Sequence, residues 1–227
     1  MTTQDGLTTA QVEFFSQNGY LVLPNFVDDD ACLKLRAQAM VLAKKYCPSP
    51  QEATVFTADG TAVHASDDYF LTSGDKIRCF FEKDAFDEHG ELRQDAHLCL
   101  NKLGHAMHDL DPVFKDFSHS TRLAAVADSV GLKQSQLLQS MYIFKQPRIG
   151  GEVTCHVDHT YLWTEPQSVI GFWFAIDDAT TQNGCMWALP GGHRIPVKSR
   201  NRLTPDRKST FNEVFDSTPY PTEGLVP

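Results

Sequence analysis

The chain has 227 residues, 41% of them hydrophobic and 22% charged, ordinary values for a single globular domain able to bury a core. Its formal net charge of −9 excludes the clustered basic footprint of a nucleic-acid binder. No apolar run approaches the ~20 residues that cross a bilayer, so neither nucleic acid nor membrane is an expected partner.

Thr8, with Gln11 three positions on, sets up a capping box ahead of Val12, Phe14 and Phe15, and Asn18-Gly19 ends that first helix. Tyr20-Leu21-Val22-Leu23 is expected to be a short buried strand closed by Pro24. Asp28, Asp29 and Asp30 stand at the start of a second helix, which carries Leu33, Leu35, Met40 and Leu42 toward Lys44 and Lys45. Cys47 to Gly74 is polar and irregular, and Lys76 to Phe81 reads as a strand. Asp84 to Gln94 is a polar connection. Helices are expected from Leu98 to Asp109 and from about Ser120 to Val130, the latter ended by Gly131. Four short extended runs follow: Leu137 to Phe144, Val153 to Asp158, Val169 to Ile176 and Cys185 to Leu189. Turn residues separate them, so a helical first half leads into an antiparallel β unit. One domain is expected over residues 1–203, and residues 204–227 read as a polar loop and tail.

The six cysteines (Cys32, Cys47, Cys79, Cys99, Cys155 and Cys185) form no C-x-x-C pair of a zinc ribbon or thioredoxin motif. They read as free thiols in a reducing compartment. Met1 to Asp5 shows no basic region leading into an apolar stretch, and the expected location is cytoplasmic.

The chemistry centres on Gly150 to Asp158. His156 and Asp158, two apart on an extended segment, point to one face. They make up two thirds of a 2-His-1-carboxylate set, the arrangement that holds non-haem Fe(II) with open positions. A His-x-Asp spacing arises about once by chance in a chain of this composition, but the adjacent Gly pair gives backbone room for a ligand. His89-Gly90-Glu91 has a similar spacing and reads as a solvated loop. His105, His108 and Asp109 could bind zinc from a helix, though a partly buried pair suits the surrounding Leu98, Leu100, Leu103 and Met107 better. His193, in Pro190-Gly191-Gly192-His193, is a possible third ligand, and with His156 and Asp158 it would make a zinc hydrolase. Its turn-rich setting favours a structural role. Trp163, Trp173, Trp187 and Phe172 supply aromatic core to the β half, and those facing His156 would keep a pocket dry.

Several segments carry a resemblance. They are Asp68 to Arg78, Asn101 to His108, Gln139 to Pro147, Asp178 to Cys185 and the Pro190-Gly191-Gly192-His193 turn. In these the chain resembles the phytanoyl-CoA dioxygenase family of Fe(II)- and 2-oxoglutarate-dependent oxygenases. The resemblance implies a mainly β fold with flanking helices, a double-stranded β-helix of the jelly-roll, cupin-like type. It implies that His156 and Asp158 bind iron, and that Lys102, Met141 and Trp173 contact 2-oxoglutarate, with O2 as co-reactant. The substrate class it implies is a small molecule, an acyl-CoA by the family's name, handled by a monomer. In the family a second His ligand and an Arg for 2-oxoglutarate follow on later strands. The expectation is therefore a jelly roll with its last strands missing, and the alternative is an inactive isoform or binding module.

Overall fold

The computed structural model describes residues 6–49, 54–55 and 67–227. Helix α1 (Thr9–Asn18) begins with the expected capping box: the Gln11 N–H donates to Thr8 Oγ1 at 3.3 Å, and the Thr8 N–H donates to Gln11 Oε1 at 2.9 Å. It ends at Gly19, whose φ of 78° is left-handed. Tyr20 to Leu23 is not a strand. The segment finds no ladder partner among the described residues and Val22 is 68% exposed. The Tyr20 ring instead packs edge-on against Phe14, with centroids 5.6 Å apart.

Helix α2 (Asp29–Tyr46) follows the sequence closely. Asp28 accepts the Ala31 N–H at 2.7 Å, with Asp29 and Asp30 in the first turn and Lys44 and Lys45 in the last, each sign matched to its end of the dipole. Leu35, Ala39, Leu42 and Ala43 are buried along one face, at the i, i+4, i+7, i+8 spacing of a helix lying on a core. Of the stretch expected to be irregular, residues 50–53 and 56–66 lie outside the described residues. A short helix, α3 (Asp68–Leu71), precedes the sheet.

Strands β1 (Ile77–Phe81), β2 (Leu100–His105) and β3 (Ser140–Ile143) form an antiparallel sheet in the order β1-β2-β3. Phe80 pairs Lys102, which pairs Ile143; Arg78 pairs Gly104, which pairs Met141. These residues share one face, while Cys79, Leu103 and Tyr142 share the other. On the second face α2 closes a core of Leu35, Leu42, Cys79, Leu103, Met107 and Phe114. On the first, Tyr69 and Phe70 of α3 meet the Phe80 ring edge-on, at 5.6 and 5.8 Å.

The helix expected from Leu98 to Asp109 is thus corrected. Its first part is β2, and only Met107–Leu110 is helical (α4). Leu100, Leu103 and Met107 mimic a helical stripe because β2 is central. A strand covered on both faces loses the period-2 signal, and here five of six positions are buried. Helix α5 (Pro112–Ser118) starts where Asp111 accepts the Val113 and Phe114 N–H groups at 3.0 and 3.1 Å. Helix α6 (Thr121–Ser129) falls within the expected range, with Gly131 just beyond it at φ 92°.

The C-terminal half departs further. Val153 to Asp158, Val169 to Ile176 and Cys185 to Leu189 form no ladders among the described residues; only Ala188 bridges to Val226. Their β-rich composition is real, but a strand is defined by backbone pairing. Residues 204–227, read as loop and tail, instead carry β5 (Thr210–Val214), which forms a hairpin with β4 (Ser199–Leu203). The described architecture is therefore helices with two small antiparallel sheets. Truncating Leu103 to Ala, at the centre of the packed face, should cost roughly 2–5 kcal/mol, measured as a drop in urea-unfolding free energy with unchanged m-value.

Candidate active site

The site is launched from the end of β1. Glu82 is buried at 2% exposure, yet its Oε2 accepts the Gly151 N–H at 3.1 Å. Burial pushes its carboxyl pKa up, while the Gly151 N–H and the Asn101 side chain pull it back down. This contact fixes where the Gly pair leaves the sheet. The chain then runs to Val157, at φ −122° and ψ 140°, and turns through a 3-10 segment, Asp158–Thr160.

Extended geometry at Val157 brings its two neighbours together. His156 Nε2 lies 3.5 Å from Asp158 Oδ1. On the other side of the ring, His156 Nδ1 is 2.7 Å from the Thr154 carbonyl oxygen. A carbonyl only accepts, so Nδ1 carries a proton; Nε2 faces a carboxylate, which favours a proton there as well, and it is the nitrogen that presents a lone pair once the ring is neutral. The Asp158 contact raises the His156 pKa against the opposing effect of burial, and His156 lowers that of Asp158. Behind the carboxylate stands Gly171, where a Cβ would come within 3.2 Å of Asp158 Oδ2. Glycine leaves that second oxygen room to rotate. Trp173, half-exposed, follows two residues later.

Lys102 and Met141 meet on the Phe80 face of the sheet, since Met141 pairs Gly104 and Ile143 pairs Lys102. The Lys102 ammonium is buried, 5.6 Å from the Phe80 ring centroid and 6.0 Å from that of Phe70. Burial lowers its pKa to about 7. Near it, His105 packs on Phe80 at 5.4 Å and meets Ser73 Oγ through Nδ1 at 2.9 Å. Burial, and then the charge on Lys102, lower the His105 pKa to about 3, so this ring is neutral.

Among the described residues, no group of three or more His, Cys, Asp or Glu side chains gathers where it could hold a metal. His193 points elsewhere: its Nε2 lies 3.2 Å from the Ser16 carbonyl, and a Cβ at Gly19 would overlap its ring. The zinc-hydrolase reading loses its third ligand to this packing. The zinc pair on a helix also dissolves, because His105 ends β2 while His108, in α4, meets Ser140 Oγ at 2.8 Å. His89 is exposed in its turn, as expected.

Sequence reasoning missed Glu82, Gly171, Ser73 and the neighbouring Phe70 and Phe80. Gly171 alone gave a signal, since a glycine inside a strand-like run marks close approach. The β4–β5 hairpin was also missed as part of the site, yet β4 packs against the Asp158–Thr160 turn. Arg200 of β4 stacks on Trp163 at 4.7 Å, and the Trp163 Nε1–H donates to Glu165 at 2.9 Å.

Comparison with known proteins gives this arrangement a family. The phytanoyl-CoA dioxygenase family matches residues 15–226. The chain is 41% identical over 215 residues to a phytanoyl-CoA dioxygenase of Arabidopsis thaliana, covering 92% of this chain and 75% of that protein. It is 43% identical over 208 residues to phytanoyl-CoA dioxygenase domain-containing protein 1 of Bos taurus, covering 88% and 70%. It is also 43% identical over 201 residues to phytanoyl-CoA dioxygenase 1 of Oryza sativa, again covering 88% and 70%. The chain belongs to the phytanoyl-CoA dioxygenase family, an oxygenase family, as the quoted segments implied. No helix among the described residues is long and apolar enough to cross a membrane.

The Lys102 environment has a measurable consequence. Between pH about 7 and the usual lysine value of 10.5, the unfolded chain binds a proton at this residue that the folded chain does not. Stability contributed here therefore rises with pH through that window. Replacing Lys102 with Met should flatten the rise, read as unfolding free energy at a series of pH values for both proteins.

Proposed function

We propose that the protein is an Fe(II)- and 2-oxoglutarate-dependent dioxygenase acting on a small molecule. The observation that carries this reading is the meeting of His156 Nε2 and Asp158 Oδ1 at 3.5 Å, with the His156 tautomer set by Thr154, in a chain of this family. One imidazole nitrogen and one carboxylate oxygen suit Fe(II), and the carbonyl acceptor on Nδ1 is the kind of partner that orients a ligating histidine. When bound, Fe(II) supplies the oxidising chemistry, coupling conversion of 2-oxoglutarate to succinate and CO2 with hydroxylation of the substrate by O2.

This chain's residues bind, orient and exclude water. His156 and Asp158 hold the metal. Gly171 lets the Asp158 carboxylate turn toward it. Lys102 meets a 2-oxoglutarate carboxylate from the floor of the sheet, while Met141 and Trp173 form apolar walls. Scattered free thiols favour the cytoplasm, and the acidic surface favours a monomer without a nucleic-acid partner. A jelly-roll enclosure would place the Val153 and Val169 runs as walls. An acyl-CoA is the substrate class suggested by the names of the relatives.

The test is 2-oxoglutarate turnover with Fe(II), followed as succinate release. Replacing His156 with Ala should reduce it at least 100-fold (on the order of 3 kcal/mol), and equal turnover in the variant would sink the reading. The alternative, a binding module without turnover, rests on the two-residue donor set. It is favoured if the chain binds Fe(II) in a His156-dependent way and releases no succinate. A second measurement concerns Lys102, whose pKa of about 7 leaves it partly neutral before an anion arrives. Binding of 2-oxoglutarate should take up a proton at neutral pH, seen by calorimetry in buffers of different ionisation enthalpy. Lys102→Met should abolish that uptake.

A further inference from the structure

Two thiols that the proposed chemistry does not use lie together behind the sheet. Cys47 caps the end of α2, and its backbone N–H donates to the Ala43 carbonyl at 2.9 Å. Cys79, in the middle of β1, points its Sγ at that same carbonyl oxygen, 3.8 Å away. Both belong to the core between α2 and the sheet, where Cys79 is completely buried and Cys47 is partly exposed. We propose that Cys47 and Cys79 are a dithiol switch that closes to a reversible disulfide under hydroperoxide, tying the end of α2 to β1.

The asymmetry of the pair sets the order of events. Cys47 is the thiol that solvent reaches. The neighbouring Cys79 thiol, by hydrogen bonding, lowers the Cys47 pKa and so favours its thiolate, while the Cys79 pKa is raised by that contact and by burial. Thiolate character and access together select the cysteine that oxidises first. The Cys47 thiolate attacks the peroxide O–O bond, forming a sulfenic acid and releasing hydroxide, which takes a proton to become water. Cys79 sulfur then attacks Cys47 sulfur; the S–O bond breaks and the Cys79 proton leaves with the hydroxyl as a second water. In total two thiols lose two hydrogens and one hydrogen peroxide becomes two waters.

The remaining cysteines offer contrasts within the same chain. Cys99 is buried too, but its Sγ faces the Gln94 and Ala85 carbonyls, at 3.6 and 3.8 Å. Cys32 is accessible, yet burial and then Asp29 and Asp28 raise its pKa. The Cys155 Sγ lies beside the Pro221 carbonyl at 3.8 Å. In these contacts none of the three shares an acceptor carbonyl with another cysteine, as Cys79 does with the Cys47 backbone.

The experiment exposes the full chain to dilute hydrogen peroxide, alkylates the remaining thiols and maps unreduced peptides by mass spectrometry. The expected product joins the Cys47 and Cys79 peptides, short of two hydrogens and released by dithiothreitol, with Cys32, Cys155 and Cys185 still alkylated. In Cys79→Ala, Cys47 should stall as a sulfenic acid that dimedone traps. Should that core substitution prevent folding, Cys47→Ser serves instead and should leave Cys79 reduced at the same peroxide dose. A Cys47 that stays reduced while the other exposed thiols oxidise would overturn the proposal. So would a disulfide from Cys47 to any cysteine except Cys79.

Discussion

The structure depends on a charged residue built into a strand that cannot move. Lys102 sits in β2, whose backbone is paired to β1 on one side and β3 on the other. Its neighbour Leu103 is locked against the α2 face, so the strand cannot rotate to release the ammonium. On the opposite face the ammonium lies near the rings of Phe80 and Phe70, 5.6 and 6.0 Å from their centroids. Aromatic faces attract a cation, but they replace hydration incompletely, which is why the lysine pKa falls to about 7. Helix and sheet hold this one amine in a fixed place, and the same placement keeps His105 neutral. Such a group is costly to bury.

The same strand also directs the segment that carries His156 and Asp158. Asn101 precedes Lys102, and consecutive strand residues face opposite ways. Lys102 faces the Phe80 side, whereas the Asn101 side chain helps to pull down the pKa of Glu82, which in turn receives the Gly151 N–H. One dipeptide thus touches both halves of the proposed site: the amine directly, and the His156 segment through a buried carboxylate. Beyond Gly151 the geometry is local. Extended backbone at Val157 sets His156 and Asp158 side by side, the Thr154 carbonyl sets the tautomer, and the bare Gly171 backbone leaves the carboxylate space.

What the sequence revealed tracks how local each determinant is. The α1 capping box, the Asp-rich start of α2 and the His156-x-Asp158 pair were legible because each is closed within a few residues. The helix drawn through Leu98 to Asp109 failed because β2 owes its burial to α2 and α3, elements distant in sequence, and burial on both faces erases the alternation that marks a strand. Glu82 was invisible for a related reason: its partner Gly151 lies 69 positions away, and nothing in either segment names the other. His193 shows the converse. Its turn was legible as structural, but the surface that receives it, Ser16 and the side-chain-free Gly19 at the end of α1, was not.

The polar C-terminal stretch was misread because its packing relies on side chains that composition counts as solvent-loving. Lys198 directs its ammonium to the Thr218 and Pro219 carbonyls, each at 3.0 Å, and to Asp216 at 3.2 Å. Its backbone N–H donates to the Tyr220 hydroxyl at 3.1 Å. Arg200 lies over Trp163, and the Trp163 ring approaches Phe215 at 6.0 Å. Long basic side chains cover apolar surface with their stems while their charged ends stay satisfied, so a segment without a hydrophobic stripe can still be held in place. Through β4, this hairpin presses on Asp158–Thr160, and Thr160 is buried beneath it. The turn that aims the Asp158 carboxylate is therefore held from two directions, by Glu82 upstream at Gly151 and by β4 downstream. On a segment without ladder partners among the described residues, these two restraints keep His156 and Asp158 side by side.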